Sequence, residues 1–259
     1  MSGHSKWHNI RVRKMASDAK RGKAYTKFAR LIEIAAREGG GDPLSNARLR
    51  SLIESAKAAS VPNANIERAI KKGTGELKGA RMEEVVYEAY GPEGSAFIIE
   101  CLTDNKNRTL GNVKTILSKT GGRFAESGSV LWLFERRGSV VTQPPPSDLP
   151  PKRHGEKDAV LPTALSDIEL SLIDCGAEDI SEHDGSLTVI SSMNDWPSVR
   201  DFLKSNHYEI DFAGIRFFPT QSVPVGEEAM QSVHTLMDAL EADDDVSDVH
   251  TNAIIGPSA

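Results

Sequence analysis

Apolar residues recur at helical spacing through the first third of the chain. From about Lys23 to Glu38, Tyr25, Phe28, Ala29, Ile32, Ala35 and Ala36 follow the i, i+3, i+4, i+7 pattern of one buried face. The run Gly39-Gly40-Gly41-Asp42-Pro43 predicts where that helix stops. A second helix is predicted from Asn46, a good N-cap, with Leu49, Leu52, Ile53 and Ala56 on one side and a break at Val61-Pro62. A third starts near Asn63, buries Ile66, Ala69 and Ile70, and ends in Lys71-Lys72-Gly73. Amphipathic helices joined by short links predict a small helical bundle.

Near Met82 the period shifts toward strands. EVVYEAY and SAFIIECLT flank the turn cluster Gly91-Pro92-Glu93-Gly94, which predicts a hairpin. The polar loop Asp104–Arg108 then leads into a helix carrying Leu110, Val113, Ile116 and Leu117, closed by Gly121-Gly122 and followed by a predicted strand SVLWLFE. Further on come helices near 167–174 and 195–205, a hairpin turning at Asp184-Gly185, a strand near 215–218 and a last helix from Glu227. The fold class is α+β: an N-terminal helical bundle followed by two small α+β domains with antiparallel sheets. Residues 143–162, QPPPSDLPPKRHGEKDAVLP, have six prolines and no hydrophobic period, and read as a linker or exposed loop.

The 259 residues are enough for two or three domains. No apolar run reaches the length of a membrane span, and MSGHSKWHNIRVRK lacks the apolar stretch of a secretory signal, so the expected location is the cytoplasm. Cys101 and Cys175 sit in apolar surroundings and are expected to be reduced core thiols, with no disulfide framework or clustered zinc site. The net charge of −6 hides a division along the chain. The segment 1–81 holds 18 of the 31 Lys and Arg but only 7 of the 37 Asp and Glu. One end is therefore built to meet a polyanion, and the rest to repel it.

The opening tract carries Lys6, Arg11, Arg13, Lys14, Lys20, Arg21, Lys23, Lys27 and Arg30 against Asp18 alone. Cations at this density neutralise phosphates and release counterions, so nucleic acid is the expected partner. Trp7 lies among them and either stacks on an unpaired base or packs back onto the helices. Lys71-Lys72-Gly73-Thr74-Gly75 offers two cations, a hydroxyl and flexible amides to a phosphate, or serves as a helix C-cap. The loop 104–109 sets Arg108 near a helix N-terminus, where it binds an anion or caps the helix through Asn107 or Thr109. His4 and His8 lack a third ligand for zinc. No Ser/His/Asp or Cys/His constellation emerges, so neither an enzyme, a metal nor a cofactor is expected.

Several longer motifs resemble those of the YebC-like family, variously named transcriptional regulators and, for the mitochondrial relative, translational activator of cytochrome c oxidase. They are GHSKW at Gly3–Trp7, DAKRGK at Asp18–Lys23, GGGDP at Gly39–Pro43 and NIERAIKKGTGEL at Asn65–Leu77. YGPEG at Tyr90–Gly94, ECLTDNKNRT at Glu100–Thr109, GSV at Gly128–Val130 and DDVSDVHTN at Asp244–Asn252 continue the series. The resemblance implies three domains: a basic helical one over 1–81, a central α+β domain over 82–137 plus 210–259, and a second α+β domain over 138–209 inserted into it. Family members are described as DNA-binding regulators and as ribosomal factors that help synthesis through difficult sequences such as proline runs. The Lys- and Arg-rich tract is poor in the Asn and Gln that read bases, which fits backbone recognition of ribosomal RNA, with DNA as the alternative. The expected contacts are Lys6, Trp7, Arg11, Arg13, Lys14, Lys20, Arg21 and Lys23, with Lys71, Lys72 and Arg108 secondary.

Overall fold

The computed structural model describes residues 18–143, 164–183 and 185–256, and of residues 18–21 and 58 the backbone only. Lys6, Trp7, Arg11, Arg13 and Lys14, and nearly all of the proline-rich stretch, lie outside the described residues. Three helices come first: α1 (Asp18–Gly39), α2 (Ala47–Ala58) and α3 (Asn63–Gly73). Their shared core is Ile32, Ala35, Ala36, Leu49, Ala56, Val61, Ile66 and Ala69, flanked by Tyr25, Phe28, Leu52, Ile53 and Ile70, so the 3.6-residue period identified the buried faces.

Asn46 closes two helices at once. Its Oδ1 accepts the Leu49 amide at 3.0 Å, capping α2, while its Nδ2 donates to the Ala35 and Gly40 carbonyls at 2.8 and 2.9 Å and satisfies the end of α1. Where α3 crosses α1, Gly73 is fully covered. A Cβ there would lie 2.3 Å from the Glu33 carbonyl oxygen and 2.7 Å from the Ala36 Cβ. Backbone cannot step aside as a flexible side chain can, so Gly73→Ala is expected to lower stability by about 2–3 kcal/mol, read from urea unfolding.

The central sheet contains β1 (Glu83–Tyr90), β2 (Ala96–Thr103), β3 (Arg123–Ala125) and β9 (Val246–Thr251), in the order β3-β1-β2-β9 with antiparallel neighbours. The β1–β2 hairpin forms where predicted, and its turn uses positive φ at Glu93 and Gly94. Helices α4 (Lys106–Lys119) and α7 (Glu227–Ala242) bury Val113, Leu117, Val233, Leu236 and Leu240. Strands β8 (Val223–Val225) and β10 (Ala253–Ile255) form a short parallel pair.

A second sheet, ordered β5-β6-β4-β7, combines β4 (Phe134–Thr142), β5 (Ala177–His183), β6 (Ser186–Ser191) and β7 (Ile210–Pro219). Its core includes Val140, Leu187 and Val189 together with Ile168 and Leu172 of α5 (Leu165–Asp174) and Val199 and Leu203 of α6 (Trp196–Ser205).

Chain contacts divide these elements into two compact units, one comprising Arg136–Phe218 and the other running up to Glu135 and resuming at Pro219. The helices α1–α3 share a unit with the central sheet. Strand β7 pairs within the inserted unit's sheet, although the 210–259 boundary assigns it to the central domain.

One predicted strand is corrected. Within Ser129–Glu135, Leu131–Leu133 form a single 3-10 turn, and β4 starts only at Phe134. The buried Glu88 carboxylate accepts the amides of Gly128, Val130 and Leu131 at 2.5, 2.7 and 2.8 Å, which removes those donors from any strand ladder.

Candidate nucleic-acid interface

Several cations expected to meet phosphate are instead held by the protein itself. Lys23, Lys27 and Arg30 recur at i, i+4, i+7 along α1, on a stripe separate from its helical-bundle face. Lys23 Nζ donates to the carbonyls of Glu241 and Ala242 at 2.9 and 2.7 Å and lies 4.0 Å from Asp244. Lys27 Nζ donates to the Ser247 carbonyl at 3.0 Å and lies 3.8 Å from Asp248. Arg30 reaches the Leu102 and Asp244 carbonyls, both at 2.7 Å, and Asp245 Oδ1 at 3.3 Å. The stripe thus ties α1 to the end of β2 and to the turn entering β9. Lys23, expected as a phosphate anchor, also docks α1 onto the end of α7, with its side chain still about half exposed. Counting charge along a sequence cannot see partners that stand at the other end of it.

The loop 104–109 tells the same story. Asn105, not Asn107 or Thr109, caps α4, its Oδ1 accepting the Arg108 amide at 3.1 Å. The anion at this helix start belongs to the chain. Asp245 Oδ2 accepts from Arg108 at 2.7 Å and from the Thr109 hydroxyl at 2.8 Å, and Arg108 also donates to Asp104 at 2.8 Å. Burial alone would raise the Asp245 carboxyl, but the Arg108 and Thr109 hydrogen bonds and the charges of Arg108 and Arg30 outweigh it and hold the group below the ordinary carboxylate range. Arg108 is likewise paired within the chain, with its side chain about half exposed. Its positive charge is compensated by Asp245 and Asp104.

The cations left facing solvent lie elsewhere. On α3, Ile66, Ala69 and Gly73 face the core, so Arg68, Lys71 and Lys72 project outward at i, i+3, i+4. None of the three pairs with a carboxylate among the described residues. Arg50 and Lys57 of α2 and Lys78 beyond α3 are exposed too. Arg68 and Lys78 were missed by the sequence reading, although their spacing from Lys71 and Lys72 in NIERAIKKGTGELK was the available signal. Lys20 and Arg21 fall in the first turn of α1, where only the backbone is described.

The KKGTG segment takes one of the two roles left open by its sequence, the helix C-cap. Thr74 is the C-cap of α3, its amide donating to the Ile70 carbonyl at 2.9 Å, and Gly75 takes the left-handed φ of +85° that follows such a cap. The same backbone lines an open cleft of about 290 Å³ with Lys72, Lys78, Arg37 and Arg81 at its walls and Glu33 as its one acidic lining residue.

Glu100, Asp248 and His250 bring one donor atom each within 4.8 Å of one another. His250 Nε2 lies 3.0 Å from Glu100 Oε2, and the Lys27 ammonium stands beside Asp248. The set has the donor types a divalent ion uses, but Lys27 already supplies positive charge there. Nearby, burial first and the carboxylates of Asp243, Asp245 and Glu100 second push the Cys101 thiol up to about 12. Iodoacetamide at pH 8 is expected to leave Cys101 unmodified in the native chain and to alkylate it once urea unfolds the protein, as mass spectrometry of the peptides will report.

The family follows from matches that span nearly the whole chain. Residues 5–76 match the TACO1/YebC protein N-terminal domain, and residues 82–253 match the TACO1/YebC second and third domain. The chain belongs to the TACO1/YebC family. A relative from Pseudothermotoga lettingae, named a probable transcriptional regulatory protein, is 44% identical over 97% of this chain and 93% of its own. One from Persephonella marina with the same name is 46% identical over 97% and 95%. The crystal structure of a conserved hypothetical protein from Aquifex aeolicus superposes with a TM-score of 0.79 at 37% identity, covering 93% of both chains. The α+β architecture of this TACO1/YebC member is thus shared with a solved structure. No helix among its described residues is long and apolar enough to cross a membrane.

Proposed function

We propose that the chain is a non-enzymatic cytoplasmic regulatory protein that grips nucleic acid by its phosphate backbone, and that its target is structured RNA on the ribosome, where it supports elongation through difficult sequences. The observation that carries this reading is the outward face of α3, where Arg68, Lys71 and Lys72 stand exposed beside the basic cleft. Lys71 and Lys72 sit in the last turn, whereas duplex readers present base-contacting side chains from the first turns of a recognition helix. Point charges of this kind recognise phosphate geometry rather than base sequence. The opening basic tract with Lys6, Trp7, Arg11, Arg13, Lys14, Lys20 and Arg21 belongs to the same basic segment of the sequence.

A second reading, a DNA-binding transcriptional regulator, is favoured by a specific feature. The four residues Ala59–Pro62 join α2 to α3, a length found in helix-turn-helix pairs, and Asn63 and Asn65 are exposed at the start of the second helix. The names of the bacterial relatives point the same way.

The test compares the native chain with a triple variant, Arg68→Glu, Lys71→Glu and Lys72→Glu, in sedimentation with purified ribosomes and in duplex DNA binding at matched salt. Ribosome affinity of the variant is expected to fall about 30-fold, with the salt slope reduced by about 2, as loss of two to three phosphate contacts requires. Unchanged co-sedimentation overturns the proposed face. A preference of about 10³ or more for one duplex sequence over others, with weak ribosome binding, replaces the first reading with the second.

A further inference from the structure

Trp132 is an unusual surface residue. Its side chain is 66% exposed, yet it is tethered: the indole Nε1 donates to the Ser129 carbonyl at 3.0 Å, and Glu88 fixes the backbone on either side of Ser129 through the Gly128, Val130 and Leu131 amides. The Tyr90 hydroxyl donates to the same Ser129 carbonyl at 3.3 Å, so Tyr90 and Trp132 share one acceptor. The guanidinium of Arg123, across the strand pair from Tyr90, lies 5.0 Å from the Tyr90 ring centroid. Arg123 is exposed, and no carboxylate among the described residues pairs with it. An apolar ring of this size is ordinarily buried, and a tethered one facing water has already lost the freedom that binding would otherwise remove.

We infer that Trp132, with the Tyr90–Arg123 pair beside it, is a stacking site for one unpaired nucleobase, Arg123 meeting that nucleotide's phosphate. This rests on the nucleic-acid reading above and adds to it a contact on the central domain that requires a base as well as a phosphate. The chemistry matches the occupant. An indole offers its face to any base without reading sequence, and an unpaired guanidinium complements the charge of the adjoining phosphate. A protein partner would bury the indole equally but leave Arg123 without its anion.

The test uses the full chain with Trp7→Phe and Trp196→Phe, which leaves Trp132 as the single tryptophan of the three. It is titrated with an oligouridylate of roughly 12 nucleotides and with an abasic ribose-phosphate strand of equal length. Trp132 emission is expected to be quenched by the oligouridylate and not by the abasic strand. In the otherwise native chain, Trp132→Ala is expected to weaken oligouridylate binding about tenfold, by anisotropy of the labelled strand, and Trp132→Phe to recover part of the loss. Abasic binding should be the same in all three proteins. Oligouridylate affinity unchanged by Trp132→Ala, or equal quenching by both strands, overturns the stacking site while leaving the phosphate reading intact. Failure of the native chain to bind either strand removes both. Emission that follows protein concentration rather than oligonucleotide makes a second copy of the chain the occupant and overturns the base.

Discussion

Asp245→Ala is expected to lower the unfolding free energy by about 3 kcal/mol. The carboxylate is 5% exposed and accepts from Arg108 and Thr109, with Arg30 and Thr103 at 3.3 Å. Truncation leaves the buried Thr109 hydroxyl without this acceptor and removes the one carboxylate that Arg30 and Arg108 share, and removing one member of a largely buried charged network costs several kcal/mol. Asp245→Asn keeps the shape and loses the charge, so about half the effect should remain. Urea unfolding at pH 7 measures both. The pH dependence supplies an independent check. A carboxyl held below its ordinary value contributes stability that is fully present above about pH 4 and is lost as pH falls through the lower native value. The native chain should therefore lose stability below about pH 4, and Asp245→Asn should flatten that part of the profile. An unchanged acid limb in the variant would show that Asp245 is not the group responsible.

Glu88→Ala is expected to cost about 3 kcal/mol and to loosen the loop that carries Trp132. One carboxylate at 4% exposure receives three backbone amides. Hydrogen bonds to charged groups contribute about 1.5–3 kcal/mol each, and partial rehydration of a surface loop returns some of that sum. Glu88→Gln retains one acceptor oxygen and should lose less. Steady-state anisotropy of Trp132 emission, again with Trp7→Phe and Trp196→Phe, is expected to drop in Glu88→Ala. A change in stability smaller than about 0.5 kcal/mol, the range of an inert surface substitution, would mean that the 3-10 turn is held by Val130 and Phe134 packing alone.

These two carboxylates also explain which parts of the protein were legible in its sequence. Local patterns were. The helical faces of α1, α2 and α3, the Asn46 cap and the β1–β2 turn each depend on close neighbours along the chain, and periodicity or turn chemistry records such neighbours. Long-range electrostatics were not. The segment SVLWLFE has strand composition, but its amides are claimed by Glu88 from far upstream, on β1. Lys23 and Arg108 look like phosphate ligands until Asp244 and Asp245 are placed beside them. Lys71 and Lys72 stayed exposed because the helical spacing that buries Ile66, Ala69 and Gly73 turns them outward. The basic excess of the segment 1–81 therefore has two uses, and only tertiary structure separates the cations that hold α1 in place from those free to meet a ligand.

The tie between α1 and the turn entering β9 has a consequence for synthesis. Lys23, Lys27 and Arg30 leave the ribosome long before the carboxylates and carbonyls that receive them. Until Asp244–Asp248 is translated, α1 can pack with α2 and α3, but its three cations lack the carboxylates that later face them. Closure of so long a loop comes late in folding. A chain terminated before Asp243 would keep the Leu102, Glu241 and Ala242 carbonyls but lack Asp244, Asp245 and Asp248, and the charge of that stripe would stay uncompensated.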